Sequence, residues 1–388
     1  MKFLSLFILF LITTISYGAE PMTGTSVAGL PSVSFSSGEG FEYGARLYLY
    51  QYGDGSISPF KWNLVTNFSQ TTEQRRDVFL FLDIPRIIGR DSRFDIYFDH
   101  KKFTYDDYFG VGNNNVYDKD LKDDTSPQFI DEHYYNYKRR WFAVLAKLQF
   151  PLHVPGLKGL AGFGFYDTEI APQSGVTLFE QQNPYGAYGG LTNYLQTGVV
   201  YDSRDSESVP GKGFWTEVLL EKTIKALGSD YHFWRFTLTD RRYFRLHPRV
   251  VYAQRIMYEA MPGSPPFYEM SFFSSSYQRR EGLGGGYSMR GIPRFLLLGP
   301  DKLLGNFELR IRSVHKRIWK QDFTSYLHLF VDAGRVWTVD DEKNLSHLHY
   351  SRGFGLHVKW NKDFVGALDV GFSKYKSMAI YATFGNLF

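Results

Sequence analysis

The sequence predicts an all-β chain, a transmembrane antiparallel β-barrel with a loop folded back inside it. Three observations carry that prediction. Apolar and polar residues alternate over many short segments. Aromatic residues make up 18% of the chain, yet its mean hydropathy is only −0.30. Past the N-terminus no apolar run reaches the ~20 residues that a membrane helix needs, which leaves a closed barrel as the way to cross lipid.

The alternation is plainest in three places. Phe94, Ile96 and Phe98 flank Asp95, Tyr97 and Asp99. Trp234, Phe236 and Leu238 flank Arg235, Thr237 and Thr239, and Phe354, Leu356, Val358 and Trp360 flank Gly355, His357 and Lys359. Successive side chains of a strand point to opposite faces, so each segment is apolar on one face and polar on the other. A soluble sandwich alternates too. Aromatic density near strand ends and a secretory N-terminus favour the barrel.

In chain order, residues 1–19 read as a signal peptide. Lys2 supplies the charge, Phe3 to Ile12 the apolar core, and Ser16-Tyr17-Gly18-Ala19 the small residues for cleavage. Residues 20–39 are rich in Gly, Ser, Thr and Pro and read as a short periplasmic lead, ahead of a barrel over 40–388. Strands are expected at 41–51, 59–70, 74–85, 91–104, 128–139, 141–152, 159–170 and 190–203. Further strands are expected at 212–223, 229–245, 249–261, 302–313, 324–337, 350–361, 363–373 and 377–388. The longer connections, 110–127, 171–190 and 261–300, should face the cell exterior. The first carries Asp118, Asp120, Asp123 and Asp124, without the spacing of a calcium loop. Tyr201-Asp202-Ser203-Arg204-Asp205, followed by Pro210-Gly211, reads as a strand end and turn with local ion pairs.

Composition narrows the chemistry. The 388 residues carry a formal net charge of +4 and no cysteine, which rules out disulfides, thiolate metal sites and cysteine nucleophiles. No basic tail points to nucleic acid. No H-E-x-x-H, G-x-S-x-G or Walker loop is present, so no enzyme activity, cofactor or metal is expected. Asp131 and His133 would share a strand face as a structural pair, and His328 and His357 would line the lumen.

The stretch 281–300 organises the rest. It holds six glycines, two prolines, Arg290, Arg294 and the apolar run Phe295 to Leu298. So much Gly and Pro excludes a regular helix or central strand, while the apolar content argues against a free surface loop. We expect it to fold into the lumen, with Arg290 seeking a carboxylate. Glu308 and Asp332, each on the polar face of an alternating segment, are the candidates.

Three motifs in order, Ser288-Met289-Arg290-Gly291-Ile292-Pro293, Gly305-Asn306-Phe307-Glu308-Leu309-Arg310 and Phe330-Val331-Asp332-Ala333-Gly334-Arg335-Val336-Trp337, resemble the BamA/TamA outer-membrane barrel superfamily, the bacterial surface antigens. The resemblance implies 16 strands and a sixth extracellular loop whose arginine locks onto acids of two neighbouring strands. Arg290, Gly291, Glu308, Asp332 and Gly334 would form that lumen clamp. Ile292 stands where the family usually has an aromatic residue, which implies looser loop packing. Gly110-Val111-Gly112-Asn113 also resembles a loop of some members. Phe384 and Phe388 resemble a C-terminal targeting signal, and Gly44 and Gly385 would weaken a seam between first and last strands.

The resemblance implies a role in insertion, assembly or translocation of proteins at the bacterial outer membrane. Its partners would be outer-membrane lipid and a periplasmic or outer-membrane protein replacing the POTRA domains, for which the lead leaves no room. The alternative is a passive pore or structural surface barrel that lost that role.

Overall fold

The computed structural model describes residues 23–388 other than 37–39, 58, 90–91, 319–320, 362–363 and 385–386. The expected signal at 1–19 and Gly385 lie outside the described residues. One antiparallel sheet contains 17 strands, of which Gly263–Ser264 is a two-residue piece within a loop. The other strands run in chain order, each bonded to the next. They are β1 Gly24–Ser36, β2 Gly40–Gly53, β3 Trp62–Thr71 and β4 Arg76–Pro85. Then follow β5 Arg93–Asp107, β6 Asn136–Pro151, β7 Leu157–Pro172 and β8 Gly189–Asp202. Next come β9 Gly213–Thr223, β10 His232–His247, β11 Val250–Ala260 and β12 Asp301–Ile318. The last are β13 Gln321–Trp337, β14 His349–Trp360, β15 Phe364–Phe372 and β16 Ala379–Phe384.

The sheet is curled into a barrel around the 261–300 loop. In a flat sheet β5 and β16 would stand about 50 Å apart. Yet this one loop touches both. Arg93 of β5 donates to the Tyr277 hydroxyl at 3.2 Å, and the Tyr381 hydroxyl of β16 accepts from the Gly291 N–H at 3.0 Å. Residues of β6, β8, β9, β10, β12 and β13 bind the same loop.

The two faces of the wall have inverted chemistry. Leu80, Phe98, Phe236, Leu238, Leu329, Phe354, Leu356 and Leu368 are exposed, while Asp95, Lys147, Glu221, Arg235, Glu259 and Glu308 are buried. Apolar outside and polar inside is the pattern of a strand-built membrane wall.

Register follows the alternation. The inward residues Arg235 and Glu221 stand opposite each other, as do Glu259 and Lys302, and Asn306 and Asp332.

Two sequence expectations fail, and they cancel in the strand count. Residues 20–39 were expected as a lead, but Gly24–Ser36 pair with β2 along its length. Pro31 sits opposite Ala45 in that ladder, which an edge strand tolerates. The second failure is the strand expected at 128–139. Turns are closed there by Phe129 N–H to Ser126, Tyr134 N–H to Asp131 and Asn136 N–H to His133, and β6 alone stands where strands at 128–139 and 141–152 were expected. Tyr134 and Tyr135 are both buried although adjacent, which a strand exposed on one face forbids. Asp131 and His133 therefore share no strand face. The Asp131 carboxylate accepts the His133 backbone N–H at 2.8 Å, and the His133 ring lies 3.3 Å from Glu132.

The long connections gather at one end of the barrel. Tyr134, Tyr135, Phe273, Leu283, Met289, Ile292, Leu296 and Leu297 form one buried cluster with wall residues Met257, Leu304 and Val336. This dome joins the connections after β5 and β11 over the mouth. At the other end the turns are short: His247 and Val250 are partners across the β10–β11 turn.

Candidate functional site

The chemistry of the lumen is set where the loop meets β12, β13 and β15. Alternation turns Asn306, Glu308 and Arg310 of β12 and His328, Phe330 and Asp332 of β13 inward. The Arg290 side chain enters this row. Its Nε and Nη2 donate to the two oxygens of Asp332 at 3.0 and 2.9 Å, a bidentate pair. Its own backbone N–H donates to the same carboxylate at 3.0 Å. Nη1 lies 2.9 Å from Glu308 and 3.4 Å from Asp369 of β15. The Phe330 ring lies beneath, 3.5 Å from the guanidinium carbon to the ring centroid. Arg290, Glu308 and Asp332 are all fully buried.

Each acid is held in turn. Asn306 donates to Asp332 at 2.8 Å and to the Ser288 carbonyl at 2.6 Å. Arg310 donates to Glu308 at 2.9 Å. His357 lies 3.0 Å from Asp369, and the His328 and His357 rings stack with centroids 3.6 Å apart. These histidines link Glu308 to Asp369 across β13 and β14. Asp369 was not singled out in the sequence, although Leu368 and Val370 around it give the alternation that could have found it.

Glycines let the loop lie flat on this wall. A Cβ on Gly371 would meet the Arg290 carbonyl carbon at 2.6 Å. One on Gly353 would meet the Phe330 ring at 2.4 Å, and one on Gly355 the Asp369 carboxylate at 1.8 Å. Gly334 faces Leu283 and Met289, where a Cβ would come within 2.7 Å of each. Gly291 itself has φ of +98° and stands against Phe372, so a side chain there would be both strained and crowded. Ile292 is fully buried in the dome cluster.

A second ion-pair network, invisible to motif reading, holds the first half of the loop to the opposite wall. Arg235 of β10 donates to Glu269 of the loop at 2.7 Å, and Arg279 of the loop donates to the same acid at 2.8 Å. Lys302 of β12 stands 2.7 Å from Glu259 of β11. Glu259 also accepts from the Ser274 N–H at 2.8 Å, and Glu217 of β9 from the Ser276 N–H at 2.9 Å. Lys147 of β6 donates to the carbonyls of Ser275 and Tyr277. The only sequence cue was the run Ser274-Ser275-Ser276, whose small side chains let backbone N–H groups reach wall carboxylates.

The loop after β5 locks onto the same assembly. Gly112 N–H donates to the Leu298 carbonyl at 2.7 Å. The Asn113 amide donates to the His347 carbonyl at 3.0 Å and accepts from the Val336 N–H at 3.1 Å. The acids of that loop serve local turns. Hydrogen bonds from the Thr125 hydroxyl and backbone N–H hold the Asp123 carboxyl below its ordinary pKa. Among the described residues no group of three or more His, Asp or Glu side chains is placed to hold a metal ion.

The remaining sequence candidates are scattered. Gly44 lies on β2, one strand in from the edge, so it does not form the first strand of a seam; a Cβ there would meet the Phe68 carbonyl at 2.3 Å. β16 ends at Phe384. Phe388 does not extend that strand. It is buried in the lumen against Tyr243, Ala253 and Leu387. Arg204 pairs with Asp202 at 2.8 Å as the turn suggested, while Asp205 pairs with Arg245 at 2.9 Å.

The geometry has known counterparts. The Omp85 superfamily domain matches residues 92–374. No curated protein matches the sequence. The fold resembles that of BamA from Haemophilus ducreyi lacking POTRA domains 1–3, with a TM-score of 0.55 and 17% identity over 94% of this chain and 69% of that one. It also resembles CdiB from Escherichia coli, with a TM-score of 0.59 and 10% identity over 95% of this chain and 63% of that one. The chain thus spans under two thirds of the CdiB structure. A strand-built wall, an arginine-bearing loop folded into it and a family match over most of the length agree: the chain is a non-enzymatic barrel of the bacterial outer membrane and belongs to the Omp85 superfamily.

Proposed function

We propose that this barrel assists the insertion or translocation of other proteins at the outer membrane, working at its wall between β1 and β16. The family supports such a role at a general level. One observation carries the finer reading. The 261–300 loop occupies the lumen, bound to both walls and roofed by the dome, so the central path is built to stay filled. Among the described residues the shortest pairing within β1 to β16 is at the end of the wall, where β15 and β16 share six residue pairs, against 13 between β1 and β2. A client strand needs an open hydrogen-bonding edge, and edges are where a sheet accepts one.

The test uses the natural absence of cysteine. Cysteine pairs scanned between β1 and β16 are oxidised to lock the wall. Locked barrels should lose the ability to raise the level of a defined set of envelope proteins, and reduction should restore it. A steady single-channel conductance in planar bilayers, with envelope protein levels unaffected by depletion or locking, would support the passive pore instead.

A further inference from the structure

We infer that the lumen contains an anion-binding site formed by Arg241 of β10, Arg255 of β11 and Arg280 of the loop, with Arg310 of β12 at its edge, and that it takes a phosphate or carboxylate group. The argument is one of uncompensated charge. Arg241 and Arg255 are at least nine-tenths buried. Arg241 and Arg255 stand directly opposite each other across the β10–β11 ladder, and the charge of Arg280 acts on both. Like charges crowded away from water call for a counter-charge.

The protein supplies little of it. Among the described residues the arginines with a carboxylate within ion-pair reach include Arg235, Arg279, Arg290, Arg294 and Arg310, but none of these three. Among the described residues Arg255 donates to the neutral oxygens of Asn306, Leu387 and Tyr287. Arg241 rests on the Trp215 ring at 4.0 Å, with its Nε and Nη2 free of hydrogen-bond partners. Nε of Arg280 and Nη1 of Arg310 are likewise unpartnered. Of the nearest acids, Glu308 serves Arg290 and Arg310, and Asp332 serves Arg290. Glu217 accepts from Ser276 through one oxygen, and its other oxygen leaves a single carboxylate to face the two guanidiniums of Arg241 and Arg280.

The site accepts oxygen ligands at its edge. A main-chain oxygen of Phe388, the last residue of the sequence, accepts from Arg310 at 3.0 Å, and the carbonyl of Leu387 accepts from Arg255 at 3.1 Å. The Phe388 ring lies within 5.2 Å of both guanidiniums. Anionic oxygens could come from a free phosphate compound or from the carboxylate of a polypeptide with an aromatic neighbour. The guanidinium fork suits both.

Calorimetric titration of the whole barrel in detergent, at constant ionic strength, separates the sources. The probes are inorganic pyrophosphate, an aromatic-ended peptide with a free carboxylate, and the same peptide amidated. The wild-type barrel should bind pyrophosphate or the free peptide saturably, and the amide more weakly. Arg241→Gln and Arg280→Gln should each weaken binding by about tenfold, the loss expected for a charged hydrogen bond. Arg46→Gln, a lumen arginine that serves Asn67 and lies outside the cluster, should bind as wild type. Heat-modifiability verifies that each variant is folded; Arg280 lies on the loop rather than the wall, so its variant keeps the test alive if Arg241→Gln does not fold. Saturable binding to neither anion by the wild type, or binding as tight as wild type by both variants, overturns the site.

Discussion

Arg235 on the wall and Glu269 on the loop form a 2.7 Å ion pair whose polarity is the reverse of the pair between Arg290 on the loop and Asp332 on the wall. The loop therefore offers Glu269, itself paired with Arg279, to one side of the barrel and Arg290 to the other. The two pairs hold opposite ends of the loop to opposite walls.

The Arg290 pair should respond to charge reversal. Arg290→Glu places a third acid beside Glu308 and Asp332, and loss of one member of a buried pair costs about 3–5 kcal/mol. The yield of heat-modifiable, folded barrel should fall. Adding Asp332→Arg should restore part of it, because a pair of opposite sign is re-formed. A single variant with wild-type heat-modifiability would remove the clamp from the account.

The two walls should act independently, since their networks share no side chain. Glu269→Ala or Asp332→Ala alone should leave the loop docked by the surviving half, with slow cleavage by added protease between residues 269 and 290. The double variant should be cut rapidly. Their destabilising effects should add to within about 0.5 kcal/mol, as measured by urea unfolding in detergent.

Glycine substitutions should report how closely loop and wall approach. Gly371→Ala drives a methyl group into the Arg290 backbone, and Gly355→Ala into Asp369. Overpacking of this kind costs about 1–3 kcal/mol, so both should lower the urea midpoint. Gly366→Ala, on β15 with nothing within 4 Å of the added carbon, is the matched control and should stay near wild type.

Asn113 should hold the dome closed. Asn113→Ala leaves the buried Val336 N–H without its acceptor, a cost of about 1–3 kcal/mol. Amide exchange at Val336 and Leu298 should accelerate, while exchange in β5 to β8 stays unchanged. Unaltered exchange at Val336 would show that the loop after β5 rests on the dome without securing it.

Much of this was legible in the sequence, because alternation is a local property. It fixes which face each residue takes, and so it placed Glu308 and Asp332 on the polar side before any pairing was known. The motifs likewise pointed to Arg290. Where local chemistry misled, tertiary pairing had overruled it. The Gly- and Pro-bearing segment around Pro31 has poor strand propensity, yet it becomes an edge strand because β2 offers a partner. The aromatic run at Tyr134 and Tyr135 looks like a strand, yet it buries both rings in the dome.

What the sequence alone determined is the alternating wall and the identity of one buried arginine with two of its acids. Only the folded barrel decided that Asp369 joins them, that Glu269 and Arg235 pair, and that Arg241, Arg255 and Arg280 crowd together. Those residues lie far apart along the chain. Their meeting depends on closing the wall around the loop, and a charge carries no mark of which partner will face it until that closure sets the distances.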